Sequence, residues 1–277
     1  MLKKFDYCKL FLGNDKLLIC PKCKKKLKLD NHFLICENKH TYDISKKGTV
    51  MLVSNNHVKE SKIYNYDLFF YRRLFTQKLF YKKLYEKIGN IVNDFFKGDI
   101  TILDLGCGEG THTVNILNLL KCKYFYYGFD YSKVAIDMAS DYNGDCRFYF
   151  VSDVNDIPIK DNSTNLILDI LSPYNKGEVN RLLKDNGLFI KVSPGENYLK
   201  ELREVLGISL YDKEADVEEN LNKNFNNVKK ERILQTYKIN EEEFNYLLNM
   251  TPIENKCVKM IPDKVTIDLI IYIVKKF

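Results

Sequence analysis

Residues 101–110 read Thr-Ile-Leu-Asp-Leu-Gly-Cys-Gly-Glu-Gly, an apolar run that breaks into glycines at Gly106, Gly108 and Gly110. Such a run suits a buried parallel strand that turns tightly and lets its backbone approach a ligand closely. Twenty residues past Gly110 a second apolar run, Tyr124–Phe129, ends in Asp130. A carboxylate at the tip of the second strand is where an α/β nucleoside site holds ribose hydroxyls. The glycine spacing is G-x-G-x-G, whereas sites that seat a pyrophosphate on a helix N-terminus use G-x-G-x-x-G.

From Asp99 onward strands alternate with helices, as a parallel sheet requires. Strands are predicted at 100–105, 124–130, 146–152, 165–171 and 188–192. Helices are predicted at about 111–121, from Ser132 as cap to about 142, at 176–183 and at 197–206. The charged, Asn-rich stretch 211–231 reads as peripheral, followed by strands at 231–237 and 265–274 around a helix at 241–249. Upstream, apolar positions recur at helical spacing from Tyr66 to Phe96, which predicts two helices. Strands at 42–44 and 48–53 precede a break at Asn55-Asn56. The domain reading is 1–55 (a lead segment, then a small module from residue 20), 56–98 a basic helical connector, and 99–277 the α/β domain.

Eight cysteines divide into two groups. Cys8, Cys107, Cys122, Cys146 and Cys257 are scattered and read as reduced thiols. The others form Cys20-x2-Cys23-x12-Cys36-x3-His40, a spacing that brings three thiolates and an imidazole to a tetrahedral Zn²⁺. Four protein ligands close the coordination sphere, so the metal is expected to be structural. His40 has the ligand spacing and His32 does not. A module of about 50 residues builds little core, so metal binding would supply most of its folding energy.

The net charge of +6 conceals an asymmetry: residues 1–98 carry a balance of +12 and the remainder −6. Basic clusters lie at Lys22–Lys28, Lys46-Lys47, Arg72-Arg73 and Lys82-Lys83, interleaved from Tyr64 onward with aromatic residues. Such a surface attracts phosphates and stacks bases. No apolar run approaches the roughly 18 residues of a membrane span. The first residues lack a signal peptide's apolar stretch, so a cytoplasmic protein without membrane contact is expected.

Asp104, two residues before the first glycine, completes a segment that resembles motif I of S-adenosylmethionine (SAM) methyltransferases. SAM is cationic and has no phosphate, in keeping with the acidic residues around the turn. Nearly the whole chain after residue 19 resembles the RlmA-type family, zinc-containing enzymes that methylate N1 of a guanosine in 23S ribosomal RNA. The resemblance rests on Cys-Pro-x-Cys at 20–23, Cys36-x3-His40 with Tyr42-Asp43, Arg72-Arg73-x-x-Phe75 and the glycine turn. Gly128–Ile136, Pro194-Gly195 and Asn249-Met250-Thr251-Pro252 extend it. It implies a Rossmann-like class I methyltransferase domain behind a small zinc-ribbon-like domain. It also implies a hairpin of 23S rRNA as partner, leaves a homodimer open, and extends to members that confer macrolide resistance.

Residue by residue, the resemblance places Tyr81 against SAM and the turn residues Asp104, Gly106, Gly108, Glu109, Gly110 and Thr111 around it. It gives Asp130 the ribose and Asp153 the adenine amino group. Tyr198 stands where the family carries a histidine, and a tyrosine hydroxyl can still reach the cofactor. The implied reaction is in-line attack of guanine N1 on the SAM methyl group, which requires the N1 proton to be lost. Asp169 and Tyr174, at the end of the fourth strand, are the candidate catalytic residues, with a structural role for Asp169 equally open. Two alternatives remain: a SAM methyltransferase acting on another RNA or a small molecule, and an RNA-binding module without activity.

Overall fold

The computed structural model describes residues 3–54, 62–252, 258 and 260–276. The predicted break at Asn55-Asn56, the boundary beside it and Cys257 lie outside these residues. In chain order the helices are α1 (Lys4–Asn14), α2 (Tyr66–Gln77), α3 (Lys82–Phe95), α4 (Thr111–Leu117), α5 (Lys133–Ala139), α6 (Lys176–Leu182), α7 (Lys200–Val205), α8 (Glu214–Asn224) and α9 (Glu241–Met250). The strands are β1 (Leu27–Asp30), β2 (Phe33–Cys36), β3 (Thr41–Asp43), β4 (Val50–Met51), β5 (Ile100–Leu105), β6 (Tyr124–Asp130), β7 (Arg147–Val151), β8 (Thr164–Ile170), β9 (Leu183–Pro194), β10 (Val228–Lys238) and β11 (Lys264–Lys275).

Among the described residues, eight strands form one sheet in the order β10-β11-β9-β8-β5-β6-β7-β4. The six from β9 to β4 are parallel; at the far edge β11 runs antiparallel to β9, and β10, antiparallel to β11, runs in the same direction as the six. The chain is thus a Rossmann-like methyltransferase fold with a small N-terminal domain. Strand β5 reads Ile-Thr-Ile-Leu-Asp-Leu because it is buried on both faces, the pattern of a central parallel strand. One face of the sheet is covered by α3, α4, α7 and α9, and the other by α1, α6, α8 and the N-terminal domain. Strand order reverses around β5, so the crevice for a ligand opens where β5, β6 and β8 end.

The N-terminal three-stranded sheet, β1-β2-β3, is antiparallel. It shares a core with the large sheet through α1, whose Phe11 stacks on Phe148 at 5.5 Å and meets Tyr127 edge-on at 5.0 Å. The Tyr127 hydroxyl donates to Asp15 at 2.6 Å. The segment predicted as a strand of the small module at 48–53 instead adds β4 to the large sheet, pairing Val50 with Phe150 and Met51 with Val151. Residues 184–187, ahead of the strand predicted at 188–192, lie within β9, where the pairing with β8 shifts register between Thr164 and Leu166. The stretch 211–231 contains α8 and the first residues of β10, with Leu221 buried.

Candidate functional site

The turn after β5 has Gly106, Gly108 and Gly110 at φ +64°, +56° and +86°. A side chain on Gly106 would bring its Cβ to 2.7 Å from Ser172 Cβ, and Gly110 begins α4 in a left-handed conformation. Asp130, at the tip of β6, accepts from the backbone N–H of Gly108 at 3.0 Å and of Ser132 at 2.8 Å. Burial raises its pKa and these backbone bonds oppose the rise. Each of its oxygens keeps a lone pair for a hydroxyl donor.

A cleft of about 1030 Å³ opens over this turn. Of the candidate cofactor residues, Tyr81, Gly106, Gly108, Glu109, Asp130, Asp153 and Tyr198 line it. Asp104, Gly110 and Thr111 stand behind the lining. Asp104 is buried, accepts from the Thr113 hydroxyl and, at 2.9 Å, from the Tyr126 hydroxyl, and is pushed up to about 7, chiefly by burial. It braces β5 against α4 and β6. The Thr111 hydroxyl donates to Glu109 at 2.5 Å.

The wall opposite the glycine turn comes from the connector. The hydroxyls of Tyr81 and Tyr198 are 2.8 Å apart, and His112 meets the Tyr81 ring edge-on at 4.7 Å. Burial, with the Arg72 charge, holds the His112 pKa down at about 3, so the ring is neutral. Arg73 was legible as part of a basic cluster and of the family resemblance, with no role assigned, yet it bolts α2 to the turn. Its guanidinium donates to the Glu109 carboxylate at 3.0 Å, to the Glu109 and Met138 carbonyls at 3.2 and 2.9 Å, and to Asp141 at 2.6 Å. His112, Arg72 and Arg203 also line the cleft without having been singled out as site residues.

The two catalytic candidates do not line it. Asp169 is fully buried, 3.1 Å from Lys191 Nζ, and accepts from the Ser172 hydroxyl at 2.7 Å. Tyr174 donates to Asn220 at 2.8 Å and packs on Phe189 and Phe225. The reason lies in chain direction. Leu171, at φ +58°, turns the chain so that Ile170, Ser172 and Pro173 reach the cleft. The Tyr174 ring joins the core on the other face of the sheet.

Cys20, Cys23, Cys36 and His40 converge, their ligand atoms all within 4.8 Å of one another. His40 Nδ1 is 3.4 Å from Cys20 Sγ and 3.5 Å from Cys36 Sγ, and Cys23 and Cys36 sulfurs are 3.6 Å apart. Bonds of about 2.3 Å to sulfur and 2.0 Å to nitrogen give tetrahedral edges of roughly 3.5–3.8 Å, so the set fits Zn²⁺. The Tyr42 hydroxyl, 3.1 Å from Cys20 Sγ, supplies an outer hydrogen bond of the kind that orients such ligands. His32 is exposed and apart from the cluster. Among the described residues no helix is long and apolar enough to cross a membrane.

Residues 18–62 match the family described as RlmA, N-terminal, and residues 96–252 match the family described as methyltransferase domain. YxjB of Bacillus subtilis, assigned by name to 23S rRNA guanine-N1 methylation, is 34% identical over 84% of this chain and 85% of its own length. The 23S rRNA (guanine(748)-N(1))-methyltransferase of Streptomyces fradiae is 26% identical over 86% of this chain and 85% of its own. Among solved structures, the YcgJ protein of Bacillus subtilis is similar with a TM-score of 0.48 at 14% identity, covering 69% of this chain and 98% of that one.

Proposed function

The chain belongs to the RlmA-type family of SAM-dependent rRNA methyltransferases, and from that premise we propose that it methylates N1 of a guanosine in a hairpin of 23S rRNA. The observation that carries this reading is the wall of the cleft. The basic, aromatic connector closes over the glycine turn through Tyr81, Phe69 and Arg72, so the segment suited to RNA also bounds the donor site. When bound, SAM supplies an electrophilic methyl group on a sulfonium.

Asp130 takes the ribose hydroxyls with the lone pairs its backbone bonds leave free. The Tyr81–Tyr198 hydroxyl pair offers a neutral polar end to the cleft, where the family has a histidine at the second position. Asp153 accepts from the backbone and side-chain N–H groups of Asn155 and takes the adenine amino group in this reading. The cleft aligns the base with the methyl group, which supplies most of the rate in a reaction of this kind. Cys20, Cys23, Cys36 and His40 hold a structural Zn²⁺. The exposed Lys22, Lys24, Lys25, Lys26 and Lys28 beside that site form the positive surface for the hairpin backbone.

Incubating the full chain with methyl-labelled SAM and unmodified 23S rRNA, then mapping the modified nucleotide, tests the reading. Label on N1 of one guanosine is expected. Label confined to a small-molecule fraction or to another RNA would assign the activity to a different acceptor.

A further inference from the structure

One charge in the cleft is left without a task. Arg72 lines it from α2, half-buried, with its guanidinium 5.3 Å from the centroid of the Phe69 ring. Its neighbour Arg73 is committed to Glu109 and Asp141, whereas among the described residues Arg72 makes no ion pair. Its charge acts on Asp130, Glu109, His112, Tyr81 and Tyr198, all of which line the same cleft. Glu109 is already bound by Arg73, and both Asp130 oxygens accept backbone N–H groups. A guanidinium partly withdrawn from water and stacked on a ring is a ready receptor for an oxygen-bearing anion.

Resting on the guanine-N1 reading, we propose that Arg72 is a catalytic residue that binds O6 of the target guanine and holds the base in its N1-deprotonated form. Neutral guanine carries a proton on N1 and has no lone pair there to attack with. Loss of that proton to bulk water spreads negative charge over N1 and O6. A cation beside O6 favours that anion, and the planar fork can span O6 and N7 together. The N1 lone pair then forms the N1–C bond while the C–S bond breaks and sulfur keeps its electron pair. Anionic base and sulfonium thereby become neutral N1-methylguanine and a neutral thioether.

Of the groups facing Arg72, the imidazole and the two phenols keep one protonation state through the neutral range. His112 is held neutral by burial, the Tyr81 and Tyr198 hydroxyls are raised by burial, and Glu109 is paired with Arg73. Asp130, Asp153, Lys133 and Arg203 complete the charged lining. Asp104, pushed up to about 7, lies beneath the turn and is common to every protein compared below.

The test compares the full chain with Arg72→Ala and Arg72→Lys. Titration calorimetry reads SAM binding, and kcat is followed from acid to alkaline pH on the RNA fragment carrying the mapped guanosine. Affinity for that fragment is measured with guanine or 2-aminopurine at the target position, the analogue having no O6. Arg72→Ala is expected to bind SAM as the wild type does. Its rising pH limb moves up by about one unit, about tenfold in rate at neutral pH, and the two rates converge in alkali. Removing O6 weakens wild-type binding about tenfold and leaves the variant's unchanged. Arg72→Lys keeps most of the wild-type limb because the charge remains.

An unmoved limb, or an equal loss on O6 removal in both proteins, overturns the assignment. So does a large loss of SAM affinity with an unmoved limb, which gives the guanidinium to the donor's carboxylate. If the wild type methylates no guanosine at N1, the underlying reading falls and takes this one with it, a result obtained before any variant is made.

Discussion

Replacing Arg73 with Met strands a carboxylate, and the size of the effect can be worked from its surroundings. The Arg73 side chain is 16% exposed and that of Glu109 only 2%. Removing one partner of a buried pair costs about 3–5 kcal/mol. Glu109 keeps the Thr111 hydroxyl at 2.5 Å, which argues for the lower end. The Asp141 arm, 43% exposed, adds about 0–1 kcal/mol after solvent screening. A loss of about 3 kcal/mol at neutral pH is expected, lowering Tm by about 6–12 °C in a chain of this size.

The pH dependence identifies the cause. Burial already raises the Glu109 pKa, and the Thr111 and Arg73 contacts oppose that rise. Without Arg73 the folded pKa climbs further above its unfolded value. The native variant then binds more protons than the unfolded chain, so its deficit is full above the folded pKa and shrinks as pH falls through it. Urea denaturation of wild type, Arg73→Met and Arg73→Met/Glu109→Gln at neutral and mildly acid pH measures this. The double variant should recover about 2 kcal/mol at neutral pH, since the amide needs no counter-charge. A single-variant cost that is the same at both pH values, together with no recovery in the double variant, would refute the reasoning.

Three further outcomes follow from the same geometry. Cys36→Ser should lower zinc content below one per chain and unfold β1-β2-β3, read by metal analysis and by loss of amide protection confined to residues 20–45. Asp104→Asn should flatten the pH profile of stability: the folded pKa of about 7 lies above the unfolded value, so wild-type stability is full in acid and declines as pH rises through neutrality. The variant keeps both hydroxyl donors and loses that decline, which denaturation at several pH values tests. Gly106→Ala, placed at φ +64° with its Cβ 2.7 Å from Ser172 Cβ, should cost about 1–3 kcal/mol and weaken SAM binding at least tenfold. An alanine variant that binds SAM normally would show that the turn tolerates a shift.

The legible parts of this chain were those written in local backbone chemistry. Gly106, Gly108 and Gly110 are needed where φ is positive, and Asp130 falls at a strand tip because its run of apolar residues ends there. The zinc ligands follow from spacing along two short turns. Side-chain direction at the end of β8 was not legible. Asp169 and Tyr174 belong to the correct edge of the sheet, but the left-handed Leu171 decides which residues reach the cleft. Arg73 and His112 were hidden for a different reason. Their partners, Glu109 and Tyr85, lie 36 and 27 residues away, and nothing in either neighbourhood marks the pairing. β4 was read into the small domain because two residues carry no record of which sheet they join.

Helix α2 explains why the connector should matter to both binding events. Phe69 and Arg73, four residues apart, lie on one stripe and meet the cleft and the glycine turn. Tyr66 and Phe70, also four apart, lie on the neighbouring, more outward stripe, with rings stacked at 5.9 Å and 56% and 38% of their surface exposed, and Tyr66 also lines the cleft. Arg72 flanks the inward stripe on the side away from Tyr66 and Phe70. Helix α2 then leads through residues 78–80 to Tyr81, whose hydroxyl meets Tyr198. On the proposed function, an RNA base stacked on the outward stripe and a donor under the inward stripe are held by one rigid element. Arg73 anchors that element through four hydrogen bonds, two to Glu109 in the turn, one to Met138 in α5 and one to Asp141 just beyond it, so α2 is fixed against the turn before either ligand arrives. On the proposed function, alignment of the nucleophile with the methyl group would then be built into the folded chain and need little reorganisation on binding.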